Sequence, residues 1–463
     1  MVASSRNESM KLRPYQQEVA RAVTDSVLQG KGLTFSVEIA RQGGKNELSA
    51  HLEVLLLTLY MAEGGALIKC SPTFKPQAVI SLERLRERLD EFGFHGIYQT
   101  RMSYVIGLGA ARAVFLSAEP SSSVVGHTAD ILLEVDESQD VDKRKYTKEF
   151  RPMGSNSNVT TIHYGTTWDD STLLEEIKQM NLEQERKDGI KRHFRYDWQE
   201  VAKCNPDYLN FVLAEKERLG ENHPLFLTQY ALLPIPGRGK FLSRQQIALM
   251  QGRHQRLSQP EEGKAYVAGV DLAGEGADAT VVTIAELNSA SACPPSSPLT
   301  SSPVNGEGWG KLKVMEHYQW RGISASQLYP QVIDVLKRWS CRRIVVDATG
   351  MGQPLASFLR ARLGRKVIPI TFTQKRKSEM GFELLAFINS GRLKLYTQDG
   401  SLEYQELMFE LERARAQYRP NQTINFFVDS SEGHDDFLVS LALVVQAGND
   451  FHPREAKGWL RSS

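Results

Sequence analysis

The sequence predicts an α/β protein with two domains. Apolar patterns typical of helices and of strands alternate along most of its 463 residues, as they do where helices pack on a sheet. That length suits two to three domains of ordinary size. No segment repeats at intervals of roughly 20 to 50 residues, so a solenoid or a propeller is disfavoured. A stretch rich in Pro and Gly at 232–241 predicts the boundary between the two domains.

The rest of the organisation follows from this boundary. In chain order we expect a flexible N-terminal tail at 1–11, a first domain at 12–235, a linker at 236–262, a second domain at 263–449 that contains a Pro/Ser-rich insertion at 288–310, and a flexible C-terminal tail at 450–463. The insertion is of low complexity, which is typical of a loop rather than of a packed core.

Composition and charge exclude several classes of protein. The chain has 56 Lys and Arg against 55 Asp and Glu, so any contact with nucleic acid is expected through local patches. The longest apolar run, Val54–Ala62, is too short for a bilayer span of roughly 20 residues, and the first residues lack the apolar core of a signal peptide. Four widely separated cysteines predict neither a disulfide framework nor a zinc site. We therefore expect a protein of the cytosol with no membrane association.

A phosphate-binding loop is predicted between the strand Thr34–Ile39 and a following helix. Glycines in such a loop let backbone N–H groups approach phosphate oxygens, and a lysine reaches the terminal phosphates. The pattern departs from a strict P-loop, because Ile39 stands where a Gly opens the loop and Asn46 replaces the Ser or Thr that binds Mg²⁺. The Asn46 amide oxygen is then left to bind Mg²⁺ directly or through a water. The predicted loop residues are Arg41, Gln42, Gly43, Gly44, Lys45 and Asn46.

An acid pair supports ATP and Mg²⁺ as ligands of the first domain. The apolar strand ILLEVDE (131–137) ends in Asp136 and Glu137. At such a position Asp136 is suited to hold Mg²⁺, and Glu137 to orient and deprotonate the attacking water. The polar Glu134 is unusual inside a strand of this kind.

Two weaker elements complete the predicted nucleotide site. A later strand ends at Gly165, and the hydroxyl of Thr166 or Thr167 is placed to sense the γ-phosphate. Upstream, Tyr15 and Gln16 are candidates to stack on an adenine and to hydrogen-bond it. Four elements in this order predict an ATPase.

Carboxylates predict a second site. Asp271 and Asp347 each end an apolar strand, and Asp435 and Asp436 begin an apolar helix. A buried carboxylate is costly unless it is paired or binds a metal, and three such positions together make an all-oxygen site for Mg²⁺ or Mn²⁺. Two ions roughly 3.5–4 Å apart would serve phosphodiester hydrolysis. Asp278, across a predicted hairpin from Asp271, is a further candidate ligand. The set predicts a metal-dependent nuclease.

Each element alone also has a purely structural explanation. A Gly-rich turn can simply precede a core helix, an acid pair can be a solvated strand end, and Asp435 and Asp436 can cap a helix. Basic side chains between 360 and 377 are either a path for DNA phosphates or a solvated face. They are Arg360, Arg362, Arg365, Lys366, Lys375, Arg376 and Lys377. The occurrence of all these elements in this order favours catalytic sites over the structural explanations.

With both sites identified, the chain resembles the large terminase subunit of a tailed bacteriophage. The residues that carry the resemblance are ARQGGKNE (40–47), ILLEVDE (131–137), GTTWD (165–169), Asp271, Asp347 and HDD (434–436). The resemblance runs from about Leu12 to about Ala447, nearly the whole chain. It implies a P-loop ATPase domain of the RecA/ASCE type followed by an RNase H-like nuclease domain.

The resemblance also implies a role for each matching residue. Lys45 would bind the phosphates and Arg41 would contact the γ-phosphate. Asp136 and Glu137 would take the metal and general-base roles, and Thr166 or Thr167 the coupling role. The nuclease metals would be held by Asp271, by Asp347 and by one or both of Asp435 and Asp436.

A terminase would act in a DNA-packaging motor. It would drive double-stranded DNA into a procapsid and cut concatemeric DNA. The implied partners are double-stranded DNA, a small terminase subunit and the portal of the procapsid, with a homo-oligomeric ring on the portal and possible monomers in solution. The implied location is the cytoplasm of the host cell.

Three other functions are weighed against this one. A repair or restriction enzyme with a helicase-type ATPase and a nuclease would normally need a second RecA-like unit, whereas the carboxylates occupy the remaining chain. A non-catalytic assembly protein that binds DNA or capsid would require neither Lys45 nor the acids. An integrase-like recombinase would share the nuclease chemistry but have no use for an ATPase.

Overall fold

The computed structural model describes residues 11–124, 126–272, 279–288, 311–419 and 421–449. Contacts divide the chain into two units. The first unit is formed mainly by residues up to Val212 and by 224–237, and the second by 213–223 and by residues from Arg238 onward. The expected tails and the Pro/Ser-rich insertion lie almost wholly outside the described residues.

Helices and strands alternate along the described chain. The helices are α1 (Pro14–Leu28), α2 (Lys45–Leu59), α3 (Val79–Glu91), α4 (Lys143–Lys145), α5 (Leu173–Asp188), α6 (Trp198–Lys203), α7 (Pro206–Leu219), α8 (Pro224–Gln229), α9 (Arg244–Met250), α10 (Ala325–Arg338), α11 (Gln353–Leu363), α12 (Gln374–Asn389), α13 (Leu402–Arg413) and α14 (Asp436–Asn449). The strands are β1 (Thr34–Ile39), β2 (Gly65–Ser71), β3 (Gln99–Arg101), β4 (Val105–Leu108), β5 (Ala111–Ser117), β6 (Leu132–Val135), β7 (Thr160–Gly165), β8 (His193–Tyr196), β9 (Arg238–Lys240), β10 (Tyr266–Asp271), β11 (Thr280–Asn288), β12 (Lys311–Trp320), β13 (Arg343–Asp347), β14 (Val367–Ile370), β15 (Leu393–Lys394), β16 (Arg415–Tyr418) and β17 (Ile424–Phe427).

The first unit is built on an eight-stranded sheet in the order β3-β4-β5-β2-β6-β7-β1-β8. From β5 to β8 neighbouring strands are parallel, while β3, β4 and β5 form an antiparallel edge. A parallel sheet is covered on both faces, which explains the nearly continuous burial of β1, β2, β6 and β7. Because β7 lies between β1 and β6, the residues that follow these three strands meet at one edge of the sheet.

The second unit is built on a six-stranded sheet in the order β14-β13-β10-β11-β12-β15. The strands β10, β11 and β12 form an antiparallel meander, and β13 and β14 continue parallel to β10. Alternate side chains of β10 enter different cores. Val267 joins the core that contains α14, whereas Ala268 and Val270 join the core formed with α10 and α11.

Helix α14 packs directly onto β10. Phe437 and the following residues of α14 up to Gly448 are buried all round the helix, as in a helix enclosed by a core. The close approach depends on Gly269, because a Cβ there would lie 2.3 Å from the Ser440 oxygen and from the Val444 nitrogen. The lack of a side chain at Gly269 therefore allows α14 to lie this close to β10.

Residues 236–262, expected to form a linker, carry ordered elements instead. They contain β9 and α9, and β9 joins β16 and β17 in a three-stranded sheet. Phe241, Leu242 and Met250 are buried in the core that contains α14. Pro236, Gly237 and Gly239, which suggested a linker, stand at the start of this segment, and the apolar residues after them fold with the second unit.

The predicted elements agree well with the structure in their positions. The strand β1 has the predicted bounds, β13 ends at Asp347 as predicted, and β10 and β11 pair antiparallel as the hairpin pattern indicated. The predicted α/β class is confirmed by both large sheets. None of the helices in the described ranges is long and apolar enough to cross a membrane.

Candidate active sites

The loop between β1 and α2 has the backbone shape of a phosphate cradle. Two of its residues have positive φ angles, Gln42 at 60° and Gly44 at 94°, and α2 begins at the next residue, Lys45. A Cβ on Gly44 would lie 2.6 Å from the Gln16 Nε2 atom. The loop therefore needs glycine at this turn, and it places the free N–H groups of a helix N-terminus at the edge of the sheet.

Helix α1 holds the loop from the side. The Tyr15 hydroxyl donates to the Gly43 carbonyl at 2.5 Å, and the Gln16 amide donates to the Gly44 carbonyl at 2.8 Å. Both side chains are buried, and the Tyr15 ring lies against Tyr196 with 5.2 Å between centroids. In this arrangement they position the loop, and their expected contact with an adenine stays a prediction.

The structure brings Lys45 to the acid pair. Its ammonium lies 3.1 Å and 3.2 Å from the two carboxylate oxygens of Glu137. Asp136, just before it, accepts the Glu137 backbone N–H at 3.0 Å. Burial raises the pKa of Asp136, and the charge of Lys69 opposes that rise. Although burial opposes it, the charge of Lys45 lowers the pKa of Glu137, which keeps this carboxylate ionised.

The two threonines after β7 have different hydrogen-bond partners. Thr166 donates its backbone N–H to the Gln139 side chain at 3.3 Å, which places it beside the acid pair. The Thr167 hydroxyl instead donates to Glu38 of β1 at 2.8 Å. Of the remaining loop residues, Arg41 is exposed and donates to the Gln229 side chain at 2.6 Å. Gln42 is exposed and Asn46 is half-buried.

The unusual Glu134 has a structural explanation. It is buried in β6 and accepts hydrogen bonds from the Ser49 hydroxyl and the Tyr164 hydroxyl, each at 3.1 Å. Lys69 of β2 donates to Ser49 at 2.6 Å and forms a buried ion pair with Glu53 at 3.0 Å. This buried network, formed by Ser49, Glu53, Lys69, Glu134 and Tyr164, joins α2 to three central strands. The sequence argument identified only Glu134.

In the second unit, strand register brings the carboxylates together. Val270 of β10 is paired with Val346 of β13, so Asp271 and Asp347 follow side by side at the same end of parallel strands. Val267 and Val345 face the core that contains α14, and by the two-residue period of a strand Asp271 and Asp347 face it as well.

Helix α14 adds its first acids to this edge. The Asp436 carboxylate accepts the Ala279 backbone N–H at 2.7 Å, and Asp435 lies 4.0 Å from the Lys377 ammonium. Burial and then the neighbouring carboxylates, Asp347 first among them, raise the pKa of Asp271 well above its ordinary value. The four predicted acids therefore form one electrostatic cluster.

Glu410 of α13 is a fifth acid that the sequence did not indicate. It is buried and accepts the Leu438 backbone N–H at 2.9 Å, so it satisfies a free donor in the first turn of α14. Burial raises the pKa of Glu410 to about 9, and the charges of Asp436 and Asp435 add to this effect. Its position in an ordinary amphipathic helix gave no local signal.

The chemistry of the cluster fits a hard divalent cation. Its donors are carboxylate oxygens, the ligands that Mg²⁺ and Mn²⁺ prefer. The mutual repulsion that raises the Asp271 pKa is what a bound cation relieves. Within the described ranges, no three His, Cys, Asp or Glu side chains stand close enough together to hold an ion. Asp278 lies outside the described residues.

Part of the basic stretch reaches the same edge. Lys377, in the first turn of α12, approaches Asp435. Burial raises the pKa of Asp347, and the hydrogen bonds of Thr349 and the charge of Lys377 oppose that rise. Arg376 pairs with Glu379 at 3.2 Å and donates to the Gln446 side chain at 3.0 Å. The end of the stretch therefore faces the carboxylates rather than forming only a solvated face.

Comparisons with known proteins agree on one family. Residues 293–446 match the family model of the terminase RNaseH-like domain. The large terminase of a thermophilic bacteriophage is 10% identical in sequence, over 94% of this chain and 99% of that chain, with a TM-score of 0.56. The complexes of the same terminase with ADP and with ATP-γ-S have the same identity and coverage, with TM-scores of 0.54 and 0.52. The sequence matches none of the curated proteins compared with it.

These matches confirm the predicted resemblance to a large terminase subunit at the level of the fold. They also confirm the predicted α/β class, since the chain shares the fold of a full-length large terminase and its C-terminal part matches an RNase H-like domain.

Proposed function

We propose that this chain, which has the fold of the phage large terminases, is the motor and nuclease subunit of a viral DNA-packaging machine. One observation carries the proposal. A single chain places a lysine and an acid pair at a phosphate loop in one unit, and a cluster of carboxylates at a sheet edge in the other. A repair or restriction enzyme shares this chemistry and is the second candidate, but the fold shared with large terminases over 94% of the chain favours packaging.

In the first unit, the substrate would be ATP. The free N–H groups of the loop and the Lys45 ammonium bind its phosphates, which draws Lys45 away from Glu137. Glu137 then accepts the proton of the attacking water. Asp136 and Asn46 are the residues placed to hold Mg²⁺, which neutralises charge on the phosphates. The ADP and ATP-γ-S complexes of the thermophilic phage's large terminase support ATP as the ligand.

In the second unit, the substrate would be double-stranded DNA. Asp271, Asp347, Asp435 and Asp436 are the residues that would hold Mg²⁺ or Mn²⁺, and such ions activate water and stabilise the leaving oxygen. Lys377 is placed to bind a phosphate beside the carboxylates, because it already lies at their edge. The other basic residues before it supply contacts that do not depend on DNA sequence.

The remaining parts of the proposal concern partners. We propose a small terminase subunit and the portal of a procapsid as protein partners, with a homo-oligomeric ring on the portal and monomers in solution. The place of action would be the cytoplasm of the host cell. Hydrolysis of ATP would drive DNA into the procapsid, and the nuclease would cut concatemeric DNA.

Two assays test the chemistry. Plasmid DNA is digested with Mn²⁺ or Mg²⁺ by wild type and by Asp271→Ala, with Asp334→Ala as a matched control, because Asp334 is an exposed acid of α10. We expect cleavage by wild type and by the control, and none by Asp271→Ala or with EDTA. Release of phosphate from ATP is measured in parallel for Lys45→Ala, with the exposed Lys31→Ala as its control.

The two activities should separate. Lys45→Ala is expected to abolish ATP hydrolysis and to keep cleavage, whereas Asp271→Ala does the reverse. A folded wild type that cuts no DNA would reduce the carboxylates to a structural role. A wild type that cuts DNA but hydrolyses no ATP would remove the motor from the proposal.

A further inference from the structure

Gln139 contacts two parts of the ATPase site at once. It follows the acid pair in a short 3₁₀ turn, Ser138–Asp140, and is buried. Its amide nitrogen donates to the Glu137 carboxylate at 2.7 Å, and its amide oxygen accepts the Thr166 backbone N–H at 3.3 Å. The same nitrogen also donates to Asp140 at 3.2 Å. No sequence pattern pointed to this residue.

The two contacts fix the orientation of the amide. If the side chain were flipped, its oxygen would face the Glu137 carboxylate and its nitrogen would face a backbone N–H, so both contacts would become repulsive. Only a side chain that carries a donor and an acceptor at this reach makes both bonds. Gln139 therefore ties the Glu137 carboxylate to the end of β7.

The backbone of β7 is shaped to admit Gln139. A Cβ on Gly165 would lie 2.1 Å from the Gln139 amide oxygen and 2.6 Å from the Leu174 Cδ2 atom. The φ angle of Gly165 is not positive, so its lack of a side chain serves the close approach rather than a turn. The contact thus depends on two positions, Gln139 and Gly165.

We infer that Gln139 is a positioning residue of the ATPase site, which aims the Glu137 carboxylate at the attacking water and links its orientation to Thr166. The inference rests on the proposed ATP hydrolysis. In the arrangement described, Glu137 is held by Lys45 and by Gln139. Once Lys45 turns to the phosphates, the Gln139 donor keeps the carboxylate in place. A displacement of Thr166 at the end of β7 is then passed directly to the general base.

Two substitutions at position 139 separate the two bonds. Gln139→Met keeps the side-chain length and removes both bonds. We expect kcat for ATP hydrolysis to fall about tenfold or more, because a misplaced general base loses much of its contribution. KM for ATP should stay within about twofold, since Lys45 and the loop still bind the phosphates.

Gln139→Glu keeps an acceptor for Thr166 but sets a second carboxylate against Glu137. Its kcat relative to wild type should be lowest at alkaline pH and should recover as the pH falls, because the introduced carboxyl donates a hydrogen bond once it is protonated. Recovery of kcat at a pH where the unfolding temperatures of variant and wild type do not change relative to each other separates positioning from a merely structural role.

Gly165→Ala tests the same contact from the other side. Its Cβ displaces the Gln139 amide, so kcat should fall as in Gln139→Met, and the double variant should lose little more than either single one. Gly107→Ala is the matched control, because a Cβ at that strand position in the same unit meets no atom closer than 3.9 Å. Retained DNA cleavage and an unchanged unfolding temperature verify that the variants fold.

The outcomes discriminate clearly. A kcat for Gln139→Met within twofold of wild type, or a Gln139→Glu activity ratio that does not change with pH, overturns the assignment while the proposed function stands. A wild type that hydrolyses no ATP overturns both. A lower kcat at constant KM, together with recovery of Gln139→Glu at acid pH, supports the assignment.

Discussion

Removal of the Lys69 ammonium should strongly destabilise the first unit. Lys69 is 1% exposed and its partner Glu53 is 0% exposed, with 3.0 Å between the Lys69 nitrogen and the Glu53 oxygen. Removing one partner of such a pair leaves a buried charge without compensation, which costs roughly 3–5 kcal/mol. For a domain of about 200 residues, this corresponds to a fall in the melting temperature of about 6–20 °C. Lys69→Met, which keeps the apolar part of the side chain, is the substitution of choice.

The dependence of this effect on pH follows from the charges of the buried network. Burial and the charge of Glu53 raise the pKa of Glu134 well above its ordinary value, which favours its protonated form. Although burial opposes it, the charges of Glu53 and Glu134 raise the pKa of Lys69. A lysine whose pKa is raised on folding stabilises fully below its unfolded pKa of about 10.4, and that stabilisation is lost only at higher pH. Lys69 should therefore contribute its full stabilisation to the wild-type protein between about pH 6 and 9.

Differential scanning calorimetry is the suitable assay, since a protein of two units need not unfold in one step. The double variant Glu53→Gln/Lys69→Met removes both charges and should recover most of the lost stability, because neutral replacement of a buried pair is often tolerated. A single variant that melts within about 2 °C of wild type would refute the reasoning. So would a double variant that is no more stable than the single one.

Three further predictions concern the second unit and the response to acid. Mn²⁺ at 100 times Kd should stabilise wild type by about 2.7 kcal/mol and so raise its melting temperature, but it should not stabilise Asp271→Asn. This variant should also lose at least about 100-fold in cleavage rate. Equal stabilisation of both proteins would exclude Asp271 as a ligand. Gly269→Ala should destabilise the second unit by about 1–3 kcal/mol and lower cleavage, because its Cβ displaces α14, whereas Gly239→Ala, with open space around it, should do neither in calorimetry and plasmid digestion. Burial lowers the pKa of several histidines to about 3 or 4, so at these residues the unfolded chain binds more protons below about pH 6.5, and their effect is to lower the stability as the pH drops from 6.5 to 4. The raised pKa values of Asp271 and Glu410 act in the opposite direction; a melting temperature that falls over this range shows that the histidines outweigh the acids, and one that rises would contradict this. These histidines are His163, His193, His223 and His317.

Strand ends were the most predictable part of both sites. Asp136 and Asp347 each close an apolar strand, and the carboxyl ends of parallel strands meet at one edge of a sheet whatever the details of packing. The sequence therefore located the acids of each site without any knowledge of the contacts between elements. It also indicated the β10–β11 hairpin, because alternation and a turn are local properties of the chain.

The residues that support these acids were not predictable, because they come from elsewhere in the sequence. Lys69 partners Glu53 across sixteen positions, and Glu410 reaches the backbone of Leu438 from another helix. Lys69 in an otherwise apolar strand and Glu53 in an apolar helix are a signal of a buried pair, but the signal does not say which residues meet. Glu410 gives no such signal. The segment 236–262 carries β9 and α9 for a different reason: the Pro and Gly residues at its start suggested a linker, whereas the apolar residues after them pack into a core.

Both sites solve the same physical problem in different ways. Neighbouring acids at a sheet edge repel one another, and each unit offsets that repulsion within the fold. In the first unit Lys45 and Lys69 supply positive charge on either side of the acid pair, so the site is stable before any ligand arrives. In the second unit the charge of Lys377 acts on Asp435 and on Asp347, whereas Asp271 keeps a strongly raised pKa. The carboxylate cluster of the second unit should therefore depend on a bound cation for its stability far more than the site of the first unit does.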